Sequence, residues 1–185
     1  MIRFAAFAGP VRGMRWLAIF DGAGFKDFDP SFAGVRQSWW TLLLALPFTL
    51  VSLSGLNLLQ QRLGRAPESL PFNIIEDLAG WLIYLGLFTA LSQWLDRRRL
   101  ALPAIMVLNW ARLWGAMLAA PLYLLVGFDI IDRESFALLL LTLLVYTFAL
   151  NVFIIRSTLD IPFTQALPIA LFEIILDVGV SLLFD

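Results

Sequence analysis

The sequence predicts an all-α polytopic membrane protein, in which five transmembrane helices follow an amphipathic N-terminal segment. Five apolar stretches fill the chain from Trp39 to Leu183, each close to the about 20 residues that a helix needs to cross a bilayer. Hydrophobic residues make up 61% of the 185 residues and charged residues 15%, whereas soluble domains have about 45–50% and 25%. A water-soluble fold of this length could not hide so much apolar surface.

Residues 1–37 form the first predicted unit, a cytoplasmic segment at the membrane surface. Its aromatic residues are interspersed with cations, as in segments where rings meet lipid headgroups and cations meet anionic lipid. We expect a surface helix over 11–20 and a second helix starting at Asp29-Pro30, with Asp as N-cap and Pro at the first helical position. A disordered tail is the alternative, although such tails are usually poor in aromatic residues. The predicted membrane-interface anchors are Arg12, Arg15, Trp16, Trp39, Trp40, Arg97, Arg98 and Arg99.

The second predicted unit, residues 38–185, is the five-helix transmembrane domain. Short polar connections separate its apolar stretches, and the prolines inside them are tolerable because neighbouring helices can satisfy the freed carbonyls. Small residues would let helices approach closely. The helices are predicted over about 39–59, 72–95, 102–127, 135–155 and 162–183, and the small residues are Gly80, Gly86, Gly115, Ala119 and Ala120.

The distribution of Lys and Arg predicts the orientation, because cytoplasmic loops carry the excess of these residues. With the N-terminus inside, the inner side holds Arg3, Arg12, Arg15, Lys26, Arg36, Arg97, Arg98, Arg99 and Arg156. The outer side holds Arg62, Arg65 and Arg133. We therefore expect a multi-pass protein of the cell inner membrane, with a cytoplasmic N-terminus and an outside C-terminus.

A cluster of polar residues is predicted inside the bilayer, where each charge costs roughly 2.5–3.5 kcal/mol and needs a partner. Arg112 lies near the middle of the third helix and Glu173 near the middle of the fifth, and these helices run in the same direction. Helical spacing puts Asp177 on the face of Glu173 and Asn109 on the face of Arg112. The two stripes would meet in a structural ion pair. A proton or ion relay, or a counter-charge from a partner or lipid headgroup, are the alternatives.

Two further carboxylates, Glu76 and Asp77, fall near the predicted outer end of the second helix. We expect them to be solvated there and to face Arg62 or Arg65. A cation site shared with Asp177 is the alternative interpretation.

Several kinds of chemistry are excluded by what the chain lacks. It contains no cysteine and no histidine, which excludes thiolate chemistry, the usual haem ligands and a Ser–His dyad, and leaves only carboxylates for a metal. No catalytic residue, cofactor or metal is predicted. The net charge of −1 gives no basic field for nucleic acid.

One short motif, Asp77-Leu78-Ala79-Gly80, resembles the Asp-Leu-Tyr-Gly signature of the Yip family of membrane proteins. Ala79 replaces the family's tyrosine, and no proline follows Gly80. The resemblance implies a five-helix membrane scaffold or adaptor with a cytoplasmic N-terminus and no catalytic activity.

The expected function is therefore non-enzymatic: a scaffold, assembly or accessory subunit acting through helix–helix contacts. Its expected partners are the lipid bilayer and a membrane protein or a second copy of the chain. A transporter or channel subunit that uses Arg112, Glu173 and Asp177 is the alternative. An enzyme acting on lipids is a third class, for which the sequence offers no motif.

Overall fold

Seven α-helices and one 3-10 helix make up the computed structural model, which describes the backbone of residues 7–184 and the side chains of residues 7–176. No strand occurs within these bounds. The elements are α1 (Ala8–Leu17), a 3-10 helix (Gly22–Asp27), α2 (Phe32–Ser38), α3 (Trp40–Arg62), α4 (Leu70–Trp94), α5 (Arg98–Gly127), α6 (Arg133–Leu159) and α7 (Phe163–Phe184).

Four helical stretches are long and apolar enough to cross a membrane: Phe32–Arg62, Leu70–Trp94, Arg98–Gly127 and Arg133–Leu159. A shorter apolar helix covers Phe163–Leu176 of the described residues. Many large apolar side chains on these helices point outward, as expected where lipid replaces water around a protein. The all-helical membrane class therefore agrees with the sequence prediction.

The central helix is α5, which packs against α2, α3, α4 and α6. Residues 104–111 are buried without interruption. A helix that is apolar and buried all round has helices on every side, so the polar side chains that α5 carries must find partners on its neighbours.

A close crossing joins α3 to α5. A Cβ atom at Gly55 would collide with the backbone of Tyr123, and one at Gly127 would lie 2.7 Å from the carbonyl oxygen of Gly55. Ser38, just before α3, lies beside Asn109, and Gly55 lies beside the later part of α5. The two helices therefore run in the same direction, as the alternation of spans requires.

The connections between helices gather at two ends of the bundle. At one end, Arg97 Nη2 donates to the carbonyl oxygen of Asp160 at 3.2 Å, which joins the α4–α5 turn to the α6–α7 turn. At the other end, Arg62 pairs with Asp129 at 3.2 Å. The connections therefore fall into the same two groups that the sequence analysis assigned to the inner and outer sides.

The N-terminal segment packs against the sides of α5 and α6. Tyr146 Oη donates to the carbonyl oxygen of Ala18 at 2.9 Å, and the ring of Phe20 contacts the rings of Tyr146 and Phe153. Leu17 of α1 is fully buried. The sequence predicted a helix lying on the membrane surface, whereas in the structure Phe20 and Leu17 pack into the helical bundle, with the ring of Phe20 beside α6.

The predicted helix start at Asp29-Pro30 is wrong in detail. Ser31, not Asp29, is the N-cap of α2, and its Oγ accepts from the N–H of Gly34 at 3.4 Å. Asp29 accepts from the N–H of Ser31 at 3.0 Å and from its hydroxyl at 2.8 Å. The carboxylate therefore orders the turn before the cap, and these bonds hold the pKa of Asp29 below its ordinary range.

Candidate functional site: a polar cavity between the helices

A cavity of about 300 Å³ lies between α3, α4, α5, α6 and α7. Apolar residues form much of its wall, but polar and charged side chains from all five helices also line it. They are Thr49, Asp77, Trp81, Arg112, Tyr123, Thr147, Asn151 and Glu173. Two residues of the predicted intramembrane polar cluster, Arg112 and Glu173, line this cavity.

Arg112 makes the strongest described contact in this cavity, an ion pair with Asp77. Its Nη2 lies 2.5 Å from Asp77 Oδ1 and 3.3 Å from the carbonyl oxygen of the same residue. The guanidinium carbon is 4.7 Å from the centre of the Trp81 ring, a cation–π arrangement. The side chain of Arg112 is 20% exposed and that of Asp77 49%, so the cation is the more buried partner.

The position of Asp77 differs from the expectation of a solvated helix-end carboxylate facing Arg62 or Arg65. Since α4 runs antiparallel to α5, the first turns of α4 reach the middle of α5, and Asp77 arrives beside Arg112. Arg62 pairs with Asp129 instead. Glu76 is half-buried and does not line the cavity.

Asn109, one helical turn before Arg112 on α5, connects α5 to α4 and α2 through hydrogen bonds. It is fully buried. Its Oδ1 accepts from Trp81 Nε1 at 3.0 Å, and its Nδ2 donates to Ser38 Oγ at 3.0 Å. Ser38 in turn donates to the carbonyl oxygen of Val35 at 2.7 Å. Asn109 and Arg112 therefore share a face of α5, as their spacing predicts, and both use Trp81, one through its N–H and the other through its ring.

Glu173, on α7, also lines the cavity. Its Oε2 accepts from Asn151 Nδ2 at 3.0 Å, which ties α7 to α6. Arg112 and Glu173 therefore line the same cavity. Asp177, the second carboxylate predicted on this face, lies outside the residues whose side chains are described.

Several polar residues of the cavity were not singled out by the sequence prediction, among them Trp81 and Asn151. An asparagine inside an apolar stretch is a usable signal, because a buried amide must find hydrogen-bond partners. Nothing in the sequence, by contrast, marks Trp81 as the partner of Arg112, since that contact depends on how α4 and α5 pack.

A second cavity, of about 210 Å³, adjoins the first. Both are lined by Thr49, Asp77 and Tyr123, and the second adds Ser52 and Asn73. Polar side chains therefore continue from the Arg112–Asp77 pair towards the end of the bundle that holds the α3–α4 connection.

The predicted interface anchors occupy several environments. Trp16, Trp39 and Trp40 are exposed at 46%, 38% and 43%. Arg12 is bonded to Asp27, with Nε 2.9 Å from Oδ1, which holds the pKa of Asp27 below its ordinary range. The anchors Arg15, Arg98 and Arg99 are also exposed.

Among the described residues, no group of three or more His, Cys, Asp or Glu side chains could hold a metal ion. The cavity has the chemistry of a binding site. Its guanidinium, carboxylate, amide and hydroxyl groups can bind an ion or a small polar molecule, or can bond to one another.

No family model matches this chain, and no curated protein or solved structure matches it either.

Proposed function

We propose that the protein is a non-enzymatic integral membrane protein that acts as a scaffold or accessory subunit through helix–helix contacts. The surface of α3, all of which is described, carries this proposal. Its buried residues are Thr41, Ala45 and Gly55, and its exposed face carries the large apolar side chains of Leu43, Leu44 and Leu50. Such a surface is available to a partner helix or to a second copy of the chain.

One backbone feature of α3 favours a partner over lipid alone. Pro47 has no N–H, so the carbonyl of Leu43 loses its helical donor. Both residues are exposed. In hydrocarbon an unpaired carbonyl is costly, and an adjacent helix or side chain is the usual source of a replacement donor.

Site-directed crosslinking tests this proposal, and the absence of native cysteine makes single-cysteine variants clean probes. Membranes carrying Leu43→Cys or Leu50→Cys on α3 are labelled with a photoactivated thiol reagent, with Leu141→Cys on the exposed face of α6 as the control. We expect one discrete crosslinked product from the α3 positions and none from the control. Equal product patterns from both helices would overturn the proposal.

A transporter or channel subunit is the second candidate, favoured by the two adjoining polar cavities. Asp77 and Glu173 would then bind the transported cation or proton, and Arg112 would supply a fixed positive charge beside them. Since a five-helix bundle is thin, the pathway would need an oligomer.

A flux assay separates this candidate from the scaffold. Purified protein in proteoliposomes is given a potassium diffusion potential, and a trapped pH-sensitive dye reports proton entry. Transport predicts an uptake that Glu173→Gln abolishes and Glu76→Gln, outside the cavity, preserves. Uptake equal to that of empty liposomes would argue against a proton pathway.

We further propose that the chain lies in the cell inner membrane with α7 as a fifth span, its N-terminus in the cytoplasm and its C-terminus outside. Arginines are concentrated at the end of the bundle that holds the α4–α5 turn, and such an excess is typical of the cytoplasmic side. An impermeant thiol reagent should label Glu134→Cys in intact cells and Ser157→Cys only after lysis. The reverse pattern would invert the orientation. The resemblance to Yip proteins stays a prediction, and it is compatible with a scaffold.

A further inference from the structure

A long apolar groove runs between α4 and α7, away from the polar cavity. Its volume is about 620 Å³, and it is lined by residues such as Leu87, Leu91, Pro168, Ile169 and Phe172. Ala90 also lines the groove and is exposed, so a small side chain stands at this position. The groove opens on the outer surface of the helices, so in a membrane its occupant comes from the lipid phase.

One end of this groove meets the basic end of the bundle. Trp94, at that end, is 80% exposed, the arrangement typical of a ring at headgroup level. The α4–α5 turn follows within a few residues and carries Arg97, Arg98 and Arg99.

The charge at this end is positive. Arg97 is engaged with the carbonyl oxygen of Asp160, whereas Arg98 and Arg99 are exposed and make no ion pair or side-chain hydrogen bond within the described part of the chain. The opposing charges on the two adjoining turns are Asp96 and Asp160, and Arg156 adds a further cation. The two turns together carry four arginines and two aspartates, so there is an excess of positive charge at this end of the groove.

We propose that this groove is a binding site for an anionic phospholipid. An acyl chain lies between α4 and α7, and the phosphate of the headgroup lies at Arg98 and Arg99. Basic pockets between membrane helices are the usual recognition element for anionic headgroups, and guanidinium groups form bidentate hydrogen bonds with phosphate. The proposal holds for a scaffold and for a transporter alike.

Native mass spectrometry of the full chain tests the site. The protein is released from nanodiscs that contain phosphatidylglycerol or phosphatidylcholine, and the bound lipid is counted. We expect retention of phosphatidylglycerol over phosphatidylcholine in the wild type. Retention should fall about five-fold for each arginine replaced in Arg98→Gln and Arg99→Gln, since each cation near an anionic lipid contributes about 1 kcal/mol.

Two further variants keep the test decisive. Arg133→Gln removes an exposed arginine at the other end of the bundle and should leave retention unchanged. Ala90→Trp fills the groove without changing a charge and should lower retention of the lipid. Circular dichroism checks that each variant stays helical. Equal retention of both lipids, or equal losses in Arg98→Gln and Arg133→Gln, would overturn the proposal.

Discussion

The polar side chains inside the bundle are used mainly to bond helices to one another. Asn109 is fully buried, and its amide satisfies both Trp81 and Ser38. Interhelical hydrogen bonds of this kind contribute about 0.6 kcal/mol on average within membranes and up to about 1.7 kcal/mol. Their value is therefore as much in fixing which faces meet as in stability.

The Arg112–Asp77 pair should show measurable coupling in a double-mutant cycle. With Arg112→Gln and Asp77→Asn, we expect a coupling free energy of about 0.5–1 kcal/mol, the upper part of the range for exposed pairs, because Arg112 is largely buried although Asp77 is half exposed. The measurement is the unfolding midpoint in a mixed-micelle denaturant titration. The exposed Arg62–Asp129 pair is the control and should give a coupling near zero.

A second double-mutant cycle tests the Arg112–Glu173 ion pair that the sequence predicted. Glu173→Gln, combined with Arg112→Gln, measures any coupling across the cavity. If the Arg112 and Asp77 effects add to within about 0.3 kcal/mol, the ion pair contributes nothing to stability and the assignment of Asp77 to this site fails.

At the scale of the helices, the α3–α5 crossing depends on glycine. Gly55→Ala should destabilise the protein by about 1–3 kcal/mol, because the new methyl group must displace the backbone of Tyr123. Gly86 is the matched control: nothing lies within 4 Å of a Cβ built there, so Gly86→Ala should be neutral or stabilising by up to about 1 kcal/mol. Thermal unfolding in detergent measures both. Equal shifts in the two variants would mean that the helices do not approach closely.

The start of α6 predicts an acid sensitivity. Asp132 is its N-cap: Oδ1 accepts from the N–H of Ser135 at 2.7 Å and Oδ2 from its hydroxyl at 3.0 Å. These bonds, the backbone one first, hold the pKa of Asp132 below its ordinary range. Since the pKa is depressed in the folded state, the stabilisation is complete above the unfolded value of about 4 and is lost as the pH falls through the folded value.

Two variants isolate this effect from other acid-sensitive groups. Asp132→Asn keeps a capping side chain but cannot titrate, so its unfolding temperature should approach that of the wild type as the pH falls below about 4. Asp132→Ala should be less stable than both at neutral pH. A constant difference between wild type and Asp132→Asn over this range would show that the carboxylate does not titrate in the cap.

For the whole molecule, the sequence predicts membrane class and helix positions well because both depend on local composition. An apolar stretch as long as a bilayer is thick must become a helix wherever it packs. The small residues at the α3–α5 crossing were not predicted, since Gly55 and Gly127 meet only once two distant helices are placed together. Gly86, which was expected to permit close approach, faces open space.

The polar site shows the same division between local and long-range information. The expense of a charge in lipid predicts that Arg112 needs a partner, and its helical spacing predicts its face. The identity of that partner depends on the register between α4 and α5, which no local pattern records. Asp77 was therefore placed with the loop arginines, although it pairs with Arg112.

The N-terminal segment offers the clearest test of the whole arrangement, because its docking joins the start of the chain to α5 and α6. Tyr146 Oη both accepts from Trp114 Nε1 at 3.2 Å and donates to the carbonyl oxygen of Ala18. If the segment is docked, the amides of residues 14–20 should exchange with deuterium far more slowly than an unstructured chain does.

Tyr146→Phe should then speed exchange in these residues about five-fold, because it removes the hydrogen bond to Ala18, which has a net value of about 1 kcal/mol. Thr147→Val is the control on the same helix: the Thr147 hydroxyl bonds only to carbonyls of α6 among the described contacts, so exchange near Ala18 should not change. Free exchange of residues 14–20 in the wild type would instead mean that the segment lies apart from the bundle at the membrane surface.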